Sequence, residues 1–423
     1  MRIRLAYGKQ GLQIDLPDGL HVDIIEPKYA AGLADPAQAI RQALRDPIAS
    51  EPLAMQLKGS DTVGVVVNDI TRATPYQVIL PALLEEIGHI PAERITLFVA
   101  TGTHRPNTAE ELNAMLGAGV AKRFRIVQND ANDRNSHALA GTTRSGNAIW
   151  VHKEYLACDR RILTGFIEPH FFAGFSGGGK ACMPGMALLE TILRNHCPAH
   201  IDHPKATWGV TAGNPIWEEI GQAAQMGGPS FLLNVALNRD KDITAVFAGD
   251  LDQAHERGCE FVRDTAMAAV PSPYDLVITS NAGYPLDLNL YQAVKGMSAA
   301  AQIVKDRGSI ILAAECWDGI PDHGRYKELL HRAESPRALL ESIRTDGGLV
   351  QDVWQAQIHA SICEKAEVYL ISHHLTDADI TKAMLTPCRD IGRIIDRMWH
   401  AYGPDMRIAV LPEGPQTIPY ICR

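Results

Sequence analysis

Gly174-Phe175-Ser176-Gly177-Gly178-Gly179-Lys180 sets four glycines just ahead of a lysine. Backbone without side chains lets several N–H groups approach one anion closely. The spacing matches the phosphate-binding pattern G-x-x-x-x-G-K, but the next residue is Ala181, where such a loop needs a hydroxyl for magnesium. Binding of a cofactor's phosphate is therefore expected here, and nucleotide hydrolysis is the weaker reading. Met186, Leu189, Ile192 and Leu193 mark a helix soon after. A second cluster holds His196, His200 and His203. Two imidazoles four residues apart on a helix can bind zinc, but Pro198 spoils that face, and Cys197 stands where a zinc protease carries glutamate. A single histidine of this cluster bound to another metal is the better expectation.

Titratable residues also recur at the ends of apolar runs. Residues 63–67 lead into Asn68-Asp69-Ile70-Thr71-Arg72, and residues 95–99 into Thr101-Gly102-Thr103-His104-Arg105. Residues 161–165 lead into Ile167-Glu168-Pro169-His170, and residues 276–280 into Asn281-Ala282-Gly283-Tyr284. Open α/β sheets bind ligands beyond the carboxyl ends of their strands, so these groups point to one shared cleft. Taken singly, each is as well explained as a turn residue or helix cap.

The elements that must hold these residues are short apolar strands alternating with helical stretches. Strands are predicted at 63–67, 95–99, 161–165, 276–280, 310–313 and 368–371, and a helix over 108–116 opened by Asn107-Thr108-Ala109-Glu110-Glu111. Continuous apolar strands between helices predict two α/β domains with mostly parallel, Rossmann-like sheets and the active-site cleft between them. Pro271-Ser272-Pro273 marks a break. The expected division is a larger domain of residues 1–270, to which a final strand within 400–423 returns, and a smaller one of residues 271–399.

The 423 residues suffice for two cores, and a formal net charge of -9 argues against nucleic acid as a partner. No apolar run approaches the length of a membrane span. The first residues alternate like a strand and lack a secretory signal. Eight scattered cysteines with no C-x-x-C pair read as reduced thiols. A cytoplasmic enzyme with no membrane partner is expected; oligomeric state leaves no mark in the sequence.

Taken together, these motifs resemble the nickel-pincer lactate racemase family. The segments that carry the likeness are Asp69-Ile70-Thr71-Arg72, Gly102-Thr103-His104-Arg105-Pro106, Glu168 through Lys180, His196, and Tyr291-Gln292-Ala293-Val294-Lys295. Their order and spacing run through most of the chain. The resemblance implies a nickel-pincer nucleotide, the nickel complex of pyridinium-3-thioamide-5-thiocarboxylic acid mononucleotide. It implies a covalent link through Lys180, His196 as nickel ligand, and Asp69, Ile70, Thr71, Arg72, Ser176, Gly177 and Gly178 around the cofactor. His104 and His170 are then the acid/base pair, and Arg72, Tyr291, Gln292 and Lys295 meet the substrate.

The implied reaction inverts C2 of a small 2-hydroxy acid. Direct proton removal there is hard because the carboxylate resists a carbanion; hydride transfer to a pyridinium, with loss of the hydroxyl proton to a base, avoids it. Two histidines, one on each side, suit a reversible racemase, since imidazole accepts and returns protons near neutral pH. Arg72 and Lys295 would neutralise the carboxylate. Lactate, malate, aromatic hydroxy acids and sugar acids all carry one. The cofactor is made elsewhere, so cofactor-biosynthesis proteins are expected partners. The alternatives are a phosphate- or nucleotide-binding transferase or NTPase using the glycine loop, and a non-catalytic anion-binding relative; the presence of His104, His170, Lys180 and His196 together speaks against decay. One cofactor touching both Lys180 and His196 requires the chain between them to fold back, and it is predicted to do so.

Overall fold

Val63–Asn68, Ile95–Ala100 and Arg160–Phe166 bury side chains on both faces, as strands inside a parallel sheet must. The computed structural model, which describes residues 1–345 and 349–422, places them in a six-stranded sheet. Its order is Ile243–Gly249, Phe231–Leu237, Arg160–Phe166, Val63–Asn68, Ile95–Ala100 and Arg125–Gln128. All neighbours run parallel except the first pair. From Val63–Asn68 the chain builds outward on one side, then returns to place Arg160–Phe166 on the other. That reversal leaves a crevice at the strands' carboxyl ends, where such sheets bind ligands.

A second six-stranded sheet is parallel throughout. It runs Thr386–Pro387, Glu367–Ile371, Val304–Ala313, Tyr274–Ser280, Arg407–Leu411 and His21–Ile24. The two-domain, mostly parallel α/β architecture is the one the sequence led us to expect. The C-terminal strand is a correction. Arg407–Leu411 does not return to the first domain but lies inside the second sheet, between Tyr274–Ser280 and His21–Ile24, while the last strand of the segment 400–423, Ile418–Ile421, pairs with Met267–Val270 at the end of residues 1–270. Asp275 helps fix Arg407–Leu411 in the second sheet: its carboxylate accepts the Arg407 N–H at 3.0 Å, and the Arg407 guanidinium sits over the Tyr274 ring. The N-terminus follows it. Ile3, Leu5, Tyr7 and Ile14, on and beside the Arg2–Leu5 and Leu12–Asp15 hairpin, share a core with Leu276, Ile278 and Ile311. An apolar strand buries equally well in either sheet, so nothing local in residues 407–411 marked their destination.

One apolar core spans both domains. It contains Val66, Phe98 and Leu163 of the first sheet together with Val277, Ile310 and Leu312 of the second. Burying each such side chain contributes roughly 1.5–3 kcal/mol, so the walls of the cleft are held by shared packing. Helix Ala109–Leu116 begins at a capping box in which Thr108 accepts the Glu111 N–H, and it anchors the loop that carries His104. Among the described residues no helix is long and apolar enough to cross a membrane.

Candidate active site

Asp69 lies just past the end of its strand, at the crevice. It is buried, and its Oδ1 accepts the Thr71 N–H at 3.1 Å and the Thr71 hydroxyl at 2.6 Å. Its Oδ2 lies 2.5 Å from Nδ1 of His104, which follows the neighbouring strand. An acidic oxygen there draws the ring's proton to Nδ1 and leaves the Nε2 lone pair facing the cavity. The Gln292 amide nitrogen lies 3.3 Å from that Nε2. Burial alone would raise the Asp69 pKa, but His104, Arg72 and Thr71 together hold it below the ordinary carboxylate range.

His170 is presented differently. It sits in a tight hairpin, Pro169–His170 against Gly174–Phe175. Phe175 is fully buried beneath it. Gly174 has φ +81°, and a Cβ there would meet the Val210 carbonyl oxygen at 2.3 Å, so only glycine fits. The Ala173 N–H donates to His170 Nδ1 at 3.2 Å, which places the neutral ring's proton on Nε2. Burial, then the charges of Lys180, Lys295 and Arg72, push its pKa well below the ordinary histidine value. The two histidines therefore rest in opposite tautomers.

The glycine loop is not the head of a long helix. Residues Gly178–Ala181 form a single 3-10 turn, and the Gly178 N–H is held by Asn234 Oδ1 at 2.8 Å. Ser176 spends its hydroxyl inside the loop, donating to the Phe166 carbonyl at 2.9 Å and accepting the Glu168 N–H at 3.0 Å. From behind, His255 Nε2 donates to the Ser176 carbonyl at 2.8 Å, and its ring leaves no room for a Cβ on Gly178. Lys180 is thereby fixed in the interior, its ammonium 5.7 Å from the Phe172 ring centroid. His196 packs on the same Phe172 ring at 5.0 Å. The following helix starts only at Leu189 and ends at Asn195, so the intervening chain folds back and Lys180 and His196 meet one cavity. His196 is buried, and its Nδ1 has no hydrogen-bond partner among the described residues. His200 and His203 turn elsewhere, to the Asn195 carbonyl at 2.9 Å and the Lys205 N–H at 3.2 Å.

The second domain closes the cavity with helix Leu290–Ala301, capped by Asn289. Gln292 and Lys295 lie three residues apart and so share a face of it. Lys295 is buried and its ammonium finds no partner among the described residues. Tyr291 also lines the cavity, its hydroxyl held by the Trp354 indole N–H at 2.9 Å. Asp69, Arg72, Ser176 and Gly177 border this same space, while Ile70 and Thr71 line a small adjoining one beyond His104. Gly178 stands behind the loop and borders neither.

A family model described as the lactate racemase N-terminal domain matches residues 7–209, and one described as the lactate racemase C-terminal domain matches residues 269–418. A lactate racemase of Thermoanaerobacterium thermosaccharolyticum is 35% identical over 422 residues, covering 98% of each chain. The chain belongs to the lactate racemase family. A lactate racemase of Lactiplantibacillus plantarum is 36% identical over 418 residues, covering 97% of this chain and 98% of its own. The structure of the lactate racemase apoprotein from T. thermosaccharolyticum superposes with a TM-score of 0.90 at 34% identity, over 99% of this chain and 100% of that one. A Thermotoga maritima protein of known structure, 18% identical, shares the fold with a TM-score of 0.73 over 92% of this chain and 99% of that one. As a member of the lactate racemase family the chain is an isomerase.

The structure of this family member adds residues that the sequence reading missed. Trp354 and Gln355 line the cavity from the start of helix Val353–Lys365, and the Trp354 ring lies 5.1 Å from that of His196. No motif surrounds them; an indole beside a polar amide at a helix start is the one available signal, and it is weak. The buried cations give a prediction. Lys180 and Lys295 are each pushed by burial, then by the Arg72 charge, from 10.5 to about 7. Between those values the unfolded chain binds protons that the folded chain does not, so stability of the unloaded protein rises with pH through this window. The expected gain is on the order of 1 kcal/mol per pH unit for each lysine. Urea unfolding at pH 7 and pH 9 should show it, with a shallower rise in Lys180→Met; an equal rise would mean that Lys180 is charged in the folded protein.

Proposed function

We propose that this chain, acting in the cytoplasm, interconverts the enantiomers of a small lactate-type 2-hydroxy acid. The observation that carries the reading is that His104 and His170, resting in opposite tautomers, share one cavity with Arg72, Lys180 and Lys295. So much buried positive charge calls for anionic ligands. The residues fit a nickel-pincer nucleotide. Lys180, near 7, is partly a free amine at neutral pH and so able to form the covalent link. His196 offers an imidazole with an unpartnered nitrogen as the nickel ligand, and Asp69 to Arg72 with the glycine loop would border the mononucleotide. When bound, this group supplies an electrophilic ring that accepts the C2 hydrogen as hydride.

The chain's own residues do the rest. Arg72 and Lys295 bind the substrate carboxylate, and Tyr291 and Gln292 close over it from the second domain. His104 Nε2 takes the hydroxyl proton of one enantiomer, and Asp69 stabilises the resulting imidazolium. The other enantiomer's hydroxyl lies toward His170. A bound carboxylate offsets the cations that keep His170 neutral, so that it can hold a second proton and pass one to the new hydroxyl. Loading requires the proteins that build the cofactor.

The test is intact mass and nickel content of protein made in a host that synthesises the cofactor, with a panel of lactate, malate, gluconate and phenyllactate enantiomers assayed in parallel. An adduct on Lys180, about one nickel per chain and racemisation of a panel member support the reading. Unmodified mass, although a control enzyme loads in the same host, overturns it.

A further inference from the structure

Beside His104, and sharing Asp69, Thr103, Tyr291 and Gln292 with the main cavity, lies a second, smaller space. It is bounded inside by Asp69, His104 and Asp352, and outside by Asp318 and His323, both exposed. Its free volume is 20 Å³, against 110 Å³ in the main cavity. That is room for about one water and too little for a hydroxy acid, so this space can pass protons but not substrate.

Asp352 is the unusual member. It precedes helix Val353–Lys365 with φ +67° and makes no side-chain bond to cap it. Its carboxylate turns the other way, accepting the Arg325 N–H at 3.1 Å. It is buried and faces His104, the phenols of Tyr291 and Tyr326, and the backbone of residues 325 and 326. Burial raises its pKa to about 6, with the His104 charge pulling it back. Such a group can both take and release a proton near neutral pH.

The proposed reaction creates a need for one. Each turnover takes a proton from one hydroxyl onto one histidine and supplies the new hydroxyl from the other. In that direction His104 ends with one proton too many and His170 with one too few. Both must be reset before the next molecule of the same enantiomer reacts. Resting on the racemase reading above, we infer that Asp352 and the space beside it are the proton exit of His104. The Nε2–H bond of the His104 imidazolium breaks, a water beside Gln292, which sits on that nitrogen and also lines this space, carries the proton, an O–H bond forms on Asp352, and the proton then leaves to solvent past His323 and Asp318. Asp352 touches no reacting atom; it is a proton-relay residue.

Resetting follows product release, so it limits kcat and leaves kcat/KM alone. Asp352→Asn keeps the size of the side chain and an acceptor for the Arg325 N–H. In loaded enzyme we expect kcat to fall about tenfold, with kcat/KM within about twofold of wild type. A parallel loss of both constants, or no change in kcat, overturns the inference while leaving the racemase reading intact; failure of loaded wild-type enzyme to racemise any substrate takes down the reading itself. A second measurement needs no cofactor. In unloaded protein labelled with ¹³C-aspartate, the Asp352 carboxyl, assigned by its absence in Asp352→Asn, should titrate at about 6 and move upward in His104→Gln. A midpoint indifferent to His104 removes the coupling on which the relay depends.

Discussion

Lys180→Ala protein, made in a cofactor-producing host, is expected to keep an unmodified mass, hold little nickel and lose racemase activity by about 10⁴-fold or more. The expectation rests on where the amine is held. Lys180 is fixed by a one-turn loop clamped between Asn234 and His255, and burial with the neighbouring Arg72 and Lys295 charges brings its pKa to about 7. At neutral pH a large share of it is therefore the free amine, the form that makes a covalent bond. An exposed lysine would be almost wholly protonated and unreactive. Lys180→Arg separates this role from simple charge, because arginine keeps a cation but stays protonated and forms no such bond. Both variants should retain the fold, which near-ultraviolet circular dichroism would check. Wild-type turnover in either one would refute a lysine-tethered cofactor.

The second large effect is at the His104–Asp69 pair. His104→Gln should lower kcat by about 10²–10⁴-fold, the usual worth of a placed acid/base group. Asp69→Asn should come close to it, although Asp69 takes no proton from substrate. An asparagine side chain can turn its NH₂ toward Nδ1, which pushes the ring proton to Nε2 and abolishes the base. Because Arg72 and Lys295 are untouched, binding of a dead-end carboxylate such as oxalate should change less than about threefold. If Asp69→Asn weakened oxalate binding as much as it slowed turnover, Asp69 would be holding the site's shape rather than a tautomer.

Much of this site could be read before any coordinates. The strand-end positions of Asp69, His104 and His170 follow from alternating strands and helices, and a switch point gathers such ends into one place. The convergence of Lys180 and His196 on one cavity needs the chain between them to fold back, as the sequence leads one to expect. The Phe172 ring on which both pack explains how it does so. Other features were out of reach. Trp354 and Asp352 enter the site from a helix whose sequence shows no functional pattern, because their importance comes from tertiary position alone. The P-loop spacing did not give the loop's shape: residues 178–181 close into one turn and Ser176 bonds its own loop. The strand Arg407–Leu411 lies in the second sheet rather than the first, because a continuous apolar run buried on both faces tells that a strand is central but not which neighbours it has.

That last strand has a consequence for synthesis. His21–Ile24 is made near the start of translation, yet the strand it pairs with, Arg407–Leu411, comes roughly 390 residues later. At ribosomal speeds of about 5–20 residues per second, the strand His21–Ile24 waits some 20–80 s for its neighbour. Meanwhile the first sheet, with all its strands between residues 63 and 249, can form on the emerging chain. The N-terminal strand thus stays without its partner in the second sheet until nearly the whole chain has been made.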